Sequence, residues 1–210
     1  ILNTLSEKYK LSQKREGIHL STLIYCLTRS FFDQTAPILP TDEEVMQFST
    51  GYGLQDLMTP KQAETPTFEK DGIVYRPDFV FPVSLNSQEA LVELKTTRSG
   101  VKRYVEGSLP DTWIEYTMGG CYIRGLTTYN LSVLYVSERP SPKIVSETLI
   151  FEQPELEENW IRLLARKAVY EKGLKENTPP TPFSYCKDWE CKSCRYRMMC
   201  DAIVQVKEAS

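Results

Sequence analysis

The chain has 210 residues, 41% of them apolar, with six cysteines and a formal net charge of −3. These values fit one globular domain with a small appended lobe, and they exclude a general basic coat, so any nucleic-acid contact has to come from local patches. No apolar run approaches the roughly 20 residues of a bilayer span and nothing resembles a signal peptide, so no membrane partner is expected; with this much core the cysteines read as ligands in a reducing, cytoplasmic compartment and not as disulfide staples.

Apolar periodicity predicts helices over 4–14 and 19–32, the second with Leu20, Leu23, Ile24, Leu27 and Phe31 on one stripe. Pro40-Thr41-Asp42-Glu43-Glu44 is a helix start, with Thr41 as cap and Glu44 as its reciprocal partner. That helix is expected to run to about Met58, although Gly51 and Gly53 weaken it. Strands over 73–81 and 89–95 follow, joined by the turn-like Pro82 to Ser87. A basic, glycine-containing segment from Arg98 to Gly107 leads to a helix from Thr112 to Gly125. NLSVLYV (130–136) and KIVSETLIF (143–151) read as strands. PELEENWIRLLARKAVYEKG reads as an amphipathic helix with Pro154 in its first turn and Gly173 as its stop. ENTPPTP is a stiff linker into a cysteine-rich tail. This order predicts an α/β fold, a small central mixed sheet flanked by helices.

The segment VYRPDFVFPVSLNSQEALVELKTTR (74–98) carries the chemistry. A strand shows alternate residues to one face, so Glu93 and Lys95 point the same way. If the two strands pair, the carboxylates of Asp78 and Glu93 converge with the Lys95 ammonium beside them. Two carboxylates gathered in a partly apolar site repel each other and call for a cation between them. Hard oxygen ligands suit Mg²⁺ or Mn²⁺; the Leu94 carbonyl is a further oxygen, and Lys95 is placed to stabilise charge on a phosphoryl group. The plainer reading is a Glu93–Lys95 salt bridge on an edge strand with Asp78 in a turn. Arg98, Lys102 and Arg103 follow as phosphate-facing cations or as a solvated loop.

The pattern Pro77-Asp78, spacer, Glu93-Leu94-Lys95 resembles the signature of the PD-(D/E)XK nuclease superfamily. The resemblance implies that Asp78 and Glu93 bind metal and that Lys95 assists hydrolysis. The tail WECKSCRYRMMC holds Cys191-x2-Cys194-x5-Cys200, and a site of this kind needs a fourth ligand. Cys186 and Cys26 both qualify, and ligand count alone does not choose between zinc and an iron–sulfur cluster. IHLSTLIYCLTRSFF around Cys26, followed by the distant cysteine tail, is similar to the iron–sulfur branch of the RecB-like nucleases, which includes the CRISPR-associated adaptation nucleases and helicase-linked nuclease domains. That likeness implies a restriction-endonuclease-like core over 41–177. It also implies a lobe of residues 1–40 and 178–210 in which Cys26, Cys191, Cys194 and Cys200 hold a [4Fe–4S] cluster. Cys121 and Cys186 are then ordinary thiols, and a zinc knuckle completed by Cys186 is the competing reading.

Two departures stand out. The family's Gly-x-x-x-His is matched by Gly51-Tyr-Gly-Leu-Gln55, which puts Gln55 where an imidazole binds metal, while His19 reads as a packing or helix-start residue. Of the family's Gln-x-x-x-Tyr helix only Tyr122 remains, either stacking on a base or half-buried in the core. The function implied is a Mg²⁺- or Mn²⁺-dependent DNA nuclease, an exonuclease on single strands or DNA ends. Its partners would be DNA and either a second copy of the chain or recombination and adaptation proteins. A non-catalytic DNA-binding or assembly subunit with the same fold and cluster is the alternative.

Overall fold

The computed structural model describes residues 16–59, 65–83, 88–102, 109–180, 188–192 and 194–208; the helix expected over 4–14 lies outside them. A short strand β1 (Ile18–His19) leads into α1 (Leu20–Ile24), where His19 stands at the N-cap. The helix expected over 19–32 is two, α1 and α2 (Leu27–Thr35), because Tyr25 and Cys26 are extended. The break has a distant cause. Arg166 Nη2 donates to the carbonyls of Ile24 at 3.0 Å and Tyr25 at 2.8 Å, and the Cys26 N–H donates to buried Glu190 Oε2 at 2.8 Å. Backbone groups that a helix would pair locally are satisfied from elsewhere in the chain.

Helix α3 (Asp42–Met58) starts as expected, with the Glu44 N–H on Thr41 Oγ1 at 3.2 Å and the Thr41 N–H on Glu44 Oε2 at 2.9 Å. Its two glycines do not end it. Two mixed sheets then form where one was expected. The first has the order β1-β3-β2, from β2 (Phe68–Lys70) and β3 (Ile73–Tyr75). The second has the order β4-β5-β6-β7, from β4 (Phe79–Val83), β5 (Gln88–Thr97), β6 (Thr128–Tyr135) and β7 (Lys143–Ile150). Pro77 divides the strand predicted over 73–81, since it has no N–H to offer a ladder. β4 and β7 run antiparallel to their neighbours, whereas β5 and β6 are parallel and are joined through α4 (Asp111–Arg124).

Helix α5 (Gln153–Glu176) passes Gly173 and stops at Asn177, which is left-handed at φ 48°. Gly173 serves a different purpose: the chain returns across it, and a Cβ there would lie 2.9 Å from the Thr178 carbonyl. The core gathers Leu20, Leu23 and Ile24 of α1, Met118 and Cys121 of α4 and Leu156, Trp160 and Leu163 of α5 around Tyr75, Leu91 and Tyr129 of the strands. The last helices are α6 (Asp188–Lys192) and α7 (Arg197–Glu208). Between them Arg195, nearly buried, pairs with Asp33 of α2 and with Glu44 of α3, and the Tyr196 hydroxyl donates to Asp33 at 2.8 Å. The cysteine tail is therefore fastened to the start of the helix that carries Gln55. Among the described residues no helix is long and apolar enough to cross a membrane.

Candidate metal and phosphate site

Phe79 pairs with Val92, so Asp78, one residue before β4, stands opposite Glu93 by continuation of the antiparallel register. Asp78 Oδ2 accepts the Leu94 N–H at 2.7 Å, and its Oδ1 accepts Gln55 Nε2 at 2.5 Å. Glu93 is 4% exposed. Its Oε1 accepts Lys95 Nζ at 2.5 Å and its Oε2 accepts the Tyr129 hydroxyl at 3.3 Å. Lys95 Nζ also lies 5.2 Å from the centre of the Tyr116 ring. Four elements thus meet at one point: the end of α3, the lead into β4, the middle of β5 and the start of β6. Asp78, Glu93, Leu94, Lys95 and Gln55 come together there.

The electrostatics follow from this crowding. Burial pushes the Glu93 carboxyl up to about 7; the Lys95 ammonium opposes that and the Asp78 carboxylate adds to it. Burial also raises the Asp78 carboxyl against the pull of Lys95, the Leu94 N–H and Gln55. For Lys95, burial works downward and is the largest single influence, but the Glu93 carboxylate, Tyr25 and the Asp78 carboxylate together outweigh it and the ammonium titrates above its ordinary range. Two carboxylates destabilised by burial, and for Glu93 by each other's charge, form a donor set that fits a hard divalent cation.

A pH dependence results. Glu93 titrates near 4.5 when unfolded and near 7 when folded, so the folded state holds the extra proton between these values. Metal-free protein therefore keeps this contribution to stability below about pH 4.5 and loses it as pH rises through 7. Glu93→Gln, which cannot ionise, is expected to gain on the wild type across that window, by a few kcal/mol in order of magnitude. Urea denaturation of the two proteins at pH 5 and pH 8 measures it, and a stability difference equal at both pH values would contradict the shift.

Two adjoining cavities flank the C-terminal half of β5. One of about 290 Å³ is lined by Phe48, Tyr52, Gln55, Lys95 and Trp113 among others. The other, about 400 Å³, shares Gly51 and Thr96 with it and continues to Arg98 at the end of β5. Together they run along α3 and the C-terminal half of β5. Lys102 is exposed beyond them, and Arg103 lies outside the described residues. Tyr122 is occupied otherwise: its ring stacks on Trp160 at 4.8 Å, and Lys70 Nζ lies 4.3 Å from the ring centre. The ring thus takes part in the packing of α4 on α5, and Tyr116 is the α4 aromatic that lies beside Lys95.

Of the cysteines, Cys26 is buried and Cys191, Cys194 and Cys200 are half-buried, and none of these four is in a disulfide. Burial raises the Cys194 and Cys200 thiols, Cys200 to about 11, and in both the neighbouring sulfurs of Cys26 and Cys191 push in the same direction. The four thiols therefore sit within electrostatic reach of one another. Among the described residues no three His, Cys, Asp or Glu side chains are grouped to hold a single metal ion. Cys121 is buried in the core with its thiol on the Thr128 carbonyl, and Cys186 lies outside the described residues. Sequence reasoning passed over Tyr129, Tyr116 and Glu190. The alternation Tyr129, Leu131, Val133, Tyr135 on β6 marks the first as inward-facing; Glu190, one of two acids flanking Trp189, gives no comparable signal.

No protein-family model matches the chain, and no curated protein does. Solved structures do. The crystal structure of SSO0001 matches with a TM-score of 0.55 at 16% identity, over 96% of this chain and 94% of that one. An alkaline exonuclease (LHK-Exo) from Laribacter hongkongensis matches with a TM-score of 0.51 at 9% identity, over 77% of this chain and 91% of that one. LHK-Exo in complex with dAMP gives 0.53 at 11% identity over the same shares. At these identities the likeness is one of fold: the chain has a mixed α/β fold similar to that of an alkaline exonuclease.

Proposed function

We propose that the chain is a metal-dependent DNA nuclease that hydrolyses phosphodiester bonds of single strands or DNA ends. The observation that carries this reading is the convergence of Asp78, Glu93, Lys95 and Gln55, of which Gln55 and Lys95 line a cleft, in a fold similar to that of an exonuclease. The Asp78 and Glu93 carboxylates, with the Leu94 carbonyl, are the groups that would hold Mg²⁺ or Mn²⁺. Such a cation, when bound, acidifies water and neutralises charge on a phosphoryl oxygen. Lys95 is anchored on Glu93 Oε1, which leaves its remaining N–H donors for the attacking water or a phosphate oxygen. Gln55 holds Asp78 from the helix side. Arg98 supplies charge at the end of β5, and Lys102 and Arg103 follow it in the sequence. Phe48, Tyr52 and Trp113 line the cleft with rings and suit unpaired bases, which stack on aromatic faces.

The same proposal gives the four thiols a [4Fe–4S] cluster with a structural task, joining the start of α2 to the tail. Their mutual electrostatic influence supports it. Anaerobically purified protein incubated with end-labelled single- and double-stranded DNA tests the activity. Cleavage with Mg²⁺ or Mn²⁺ that chelation abolishes is the expected result. DNA binding without cleavage under any of these conditions would favour a non-catalytic DNA-binding subunit.

Gln55 yields a sharper expectation. An amide in place of imidazole offers a hard oxygen and does not titrate near neutrality. Gln55→Ala is expected to weaken Mn²⁺ binding and lower activity, and Gln55→His to retain or raise activity with Mn²⁺. Wild-type kinetics and metal affinity in Gln55→Ala would end that role and leave Gln55 as a hydrogen-bond partner of Asp78.

A further inference from the structure

We propose that the Tyr129 hydroxyl, set in place by Tyr75, is a positioning group that reserves one oxygen of Glu93 and leaves the other for Lys95 and a divalent cation. The inference rests on the reading of Glu93 as a metal ligand. Tyr75 and Tyr129 are both fully buried. Their hydroxyls lie 2.6 Å apart, and Tyr129 donates to Glu93 Oε2 at 3.3 Å. A hydroxyl has one proton. Because Tyr129 gives its proton to Glu93, Tyr75 is the donor to Tyr129, and the chain runs one way toward the carboxylate. Each bond in such a chain polarises the next.

A mid-helix peculiarity shows that this arrangement is built in. Gly119 and Gly120 stand in the interior of α4, where each glycine costs about 1 kcal/mol relative to alanine. A Cβ at Gly120 would lie 2.6 Å from Tyr75 Cζ and 2.7 Å from its hydroxyl. Only glycine lets the end of the Tyr75 ring reach past the helix to Tyr129. The ring is braced on its other sides by Phe68 at 6.1 Å and by Tyr116 at 5.7 Å between centroids. Tyr116 is also the ring beside Lys95, so one aromatic group supports both the chain and the lysine.

The consequence is geometric. The terminal torsion of a glutamate is broad, with no sharp staggered well. A donor on Oε2 removes that freedom and sets the carboxylate plane, so Oε1 is presented beside Lys95 in one orientation. Groups that orient a metal's ligands in this manner are worth about 10–100-fold in metal affinity or activity.

Mn²⁺ alone, titrated calorimetrically and by electron paramagnetic resonance into the full chain, tests the proposal. Tyr129→Phe is expected to bind Mn²⁺ about tenfold or more weakly, with an altered Mn²⁺ spectrum. Its kcat should fall while KM for DNA stays the same. Tyr75→Phe is expected to lose affinity in the same direction by a smaller factor. Residues that only fill the core would lower the melting temperature and leave Mn²⁺ affinity and spectrum unchanged. Wild-type affinity in either variant, with a native circular dichroism spectrum, overturns the proposal; if Tyr129→Phe does not fold, Tyr75→Phe decides alone. Glu93→Gln separates the two levels of inference. Undiminished Mn²⁺ binding in that variant defeats the ligand reading of Glu93 itself, whereas its loss alongside wild-type binding in Tyr129→Phe defeats only the positioning role.

Discussion

Alanine at Asp78, Glu93 or Lys95 is expected to abolish DNA cleavage while the chain stays folded and any cluster colour stays unchanged. The three side chains meet within one hydrogen-bonded group, and the thiols occupy a different part of the chain. Charge stabilisation of the kind proposed is worth several kcal/mol, which at 1.36 kcal/mol per tenfold is a loss on the order of a thousandfold in rate. The variants should differ in character. Asp78→Ala and Glu93→Ala remove cation ligands and should weaken Mn²⁺ binding as well as the rate. Lys95→Ala keeps both carboxylates, so it should lose rate at saturating metal, and its DNA binding should persist and weaken with added salt as phosphate contacts do. Single-turnover cleavage at several Mn²⁺ concentrations distinguishes these patterns. Undiminished cleavage by Glu93→Ala would mean that the site lies elsewhere.

Cys26→Ser is expected to remove the iron and the brown colour from anaerobically purified protein and to lower its stability, whereas Cys186→Ser should do neither. The physical ground is loop closure. Cys26 and the Cys191 region lie more than 160 positions apart, as the Cys26–Glu190 bond with its separation of 164 shows. A cross-link over a loop of that length removes unfolded-state entropy worth on the order of 5 kcal/mol in the chain-entropy account. The serine variant retains the Cys26 N–H bond to Glu190, because that contact uses the backbone; the loss measured is therefore that of the thiol. Iron quantification together with thermal melting provides the readout. Stoichiometric zinc without iron, with Cys186 essential and Cys26 dispensable, would replace the cluster by a zinc knuckle.

What could be read from the chain alone was what local spacing encodes. The Thr41–Glu44 capping box is an i, i+3 signal and formed as expected. The period of two put Glu93 and Lys95 on one face of a strand, where they pair. Asp78 opposite Glu93 followed once the two strands were taken to pair, because register is a consequence of pairing. Tertiary structure decided the rest, for reasons no short window contains. The helix expected over 19–32 breaks at Tyr25–Cys26 because Arg166, 141 residues from Tyr25, takes its carbonyl. The strand expected over 73–81 belongs to two sheets, Gly173 is a crossing point and not a stop, and Tyr122 packs on Trp160 across two helices. The site divides the same way. Its charged residues show in the sequence because charges on an apolar strand are conspicuous. The tyrosines that orient Glu93 do not, because a buried tyrosine looks like any core aromatic until the fold brings its hydroxyl to a carboxylate.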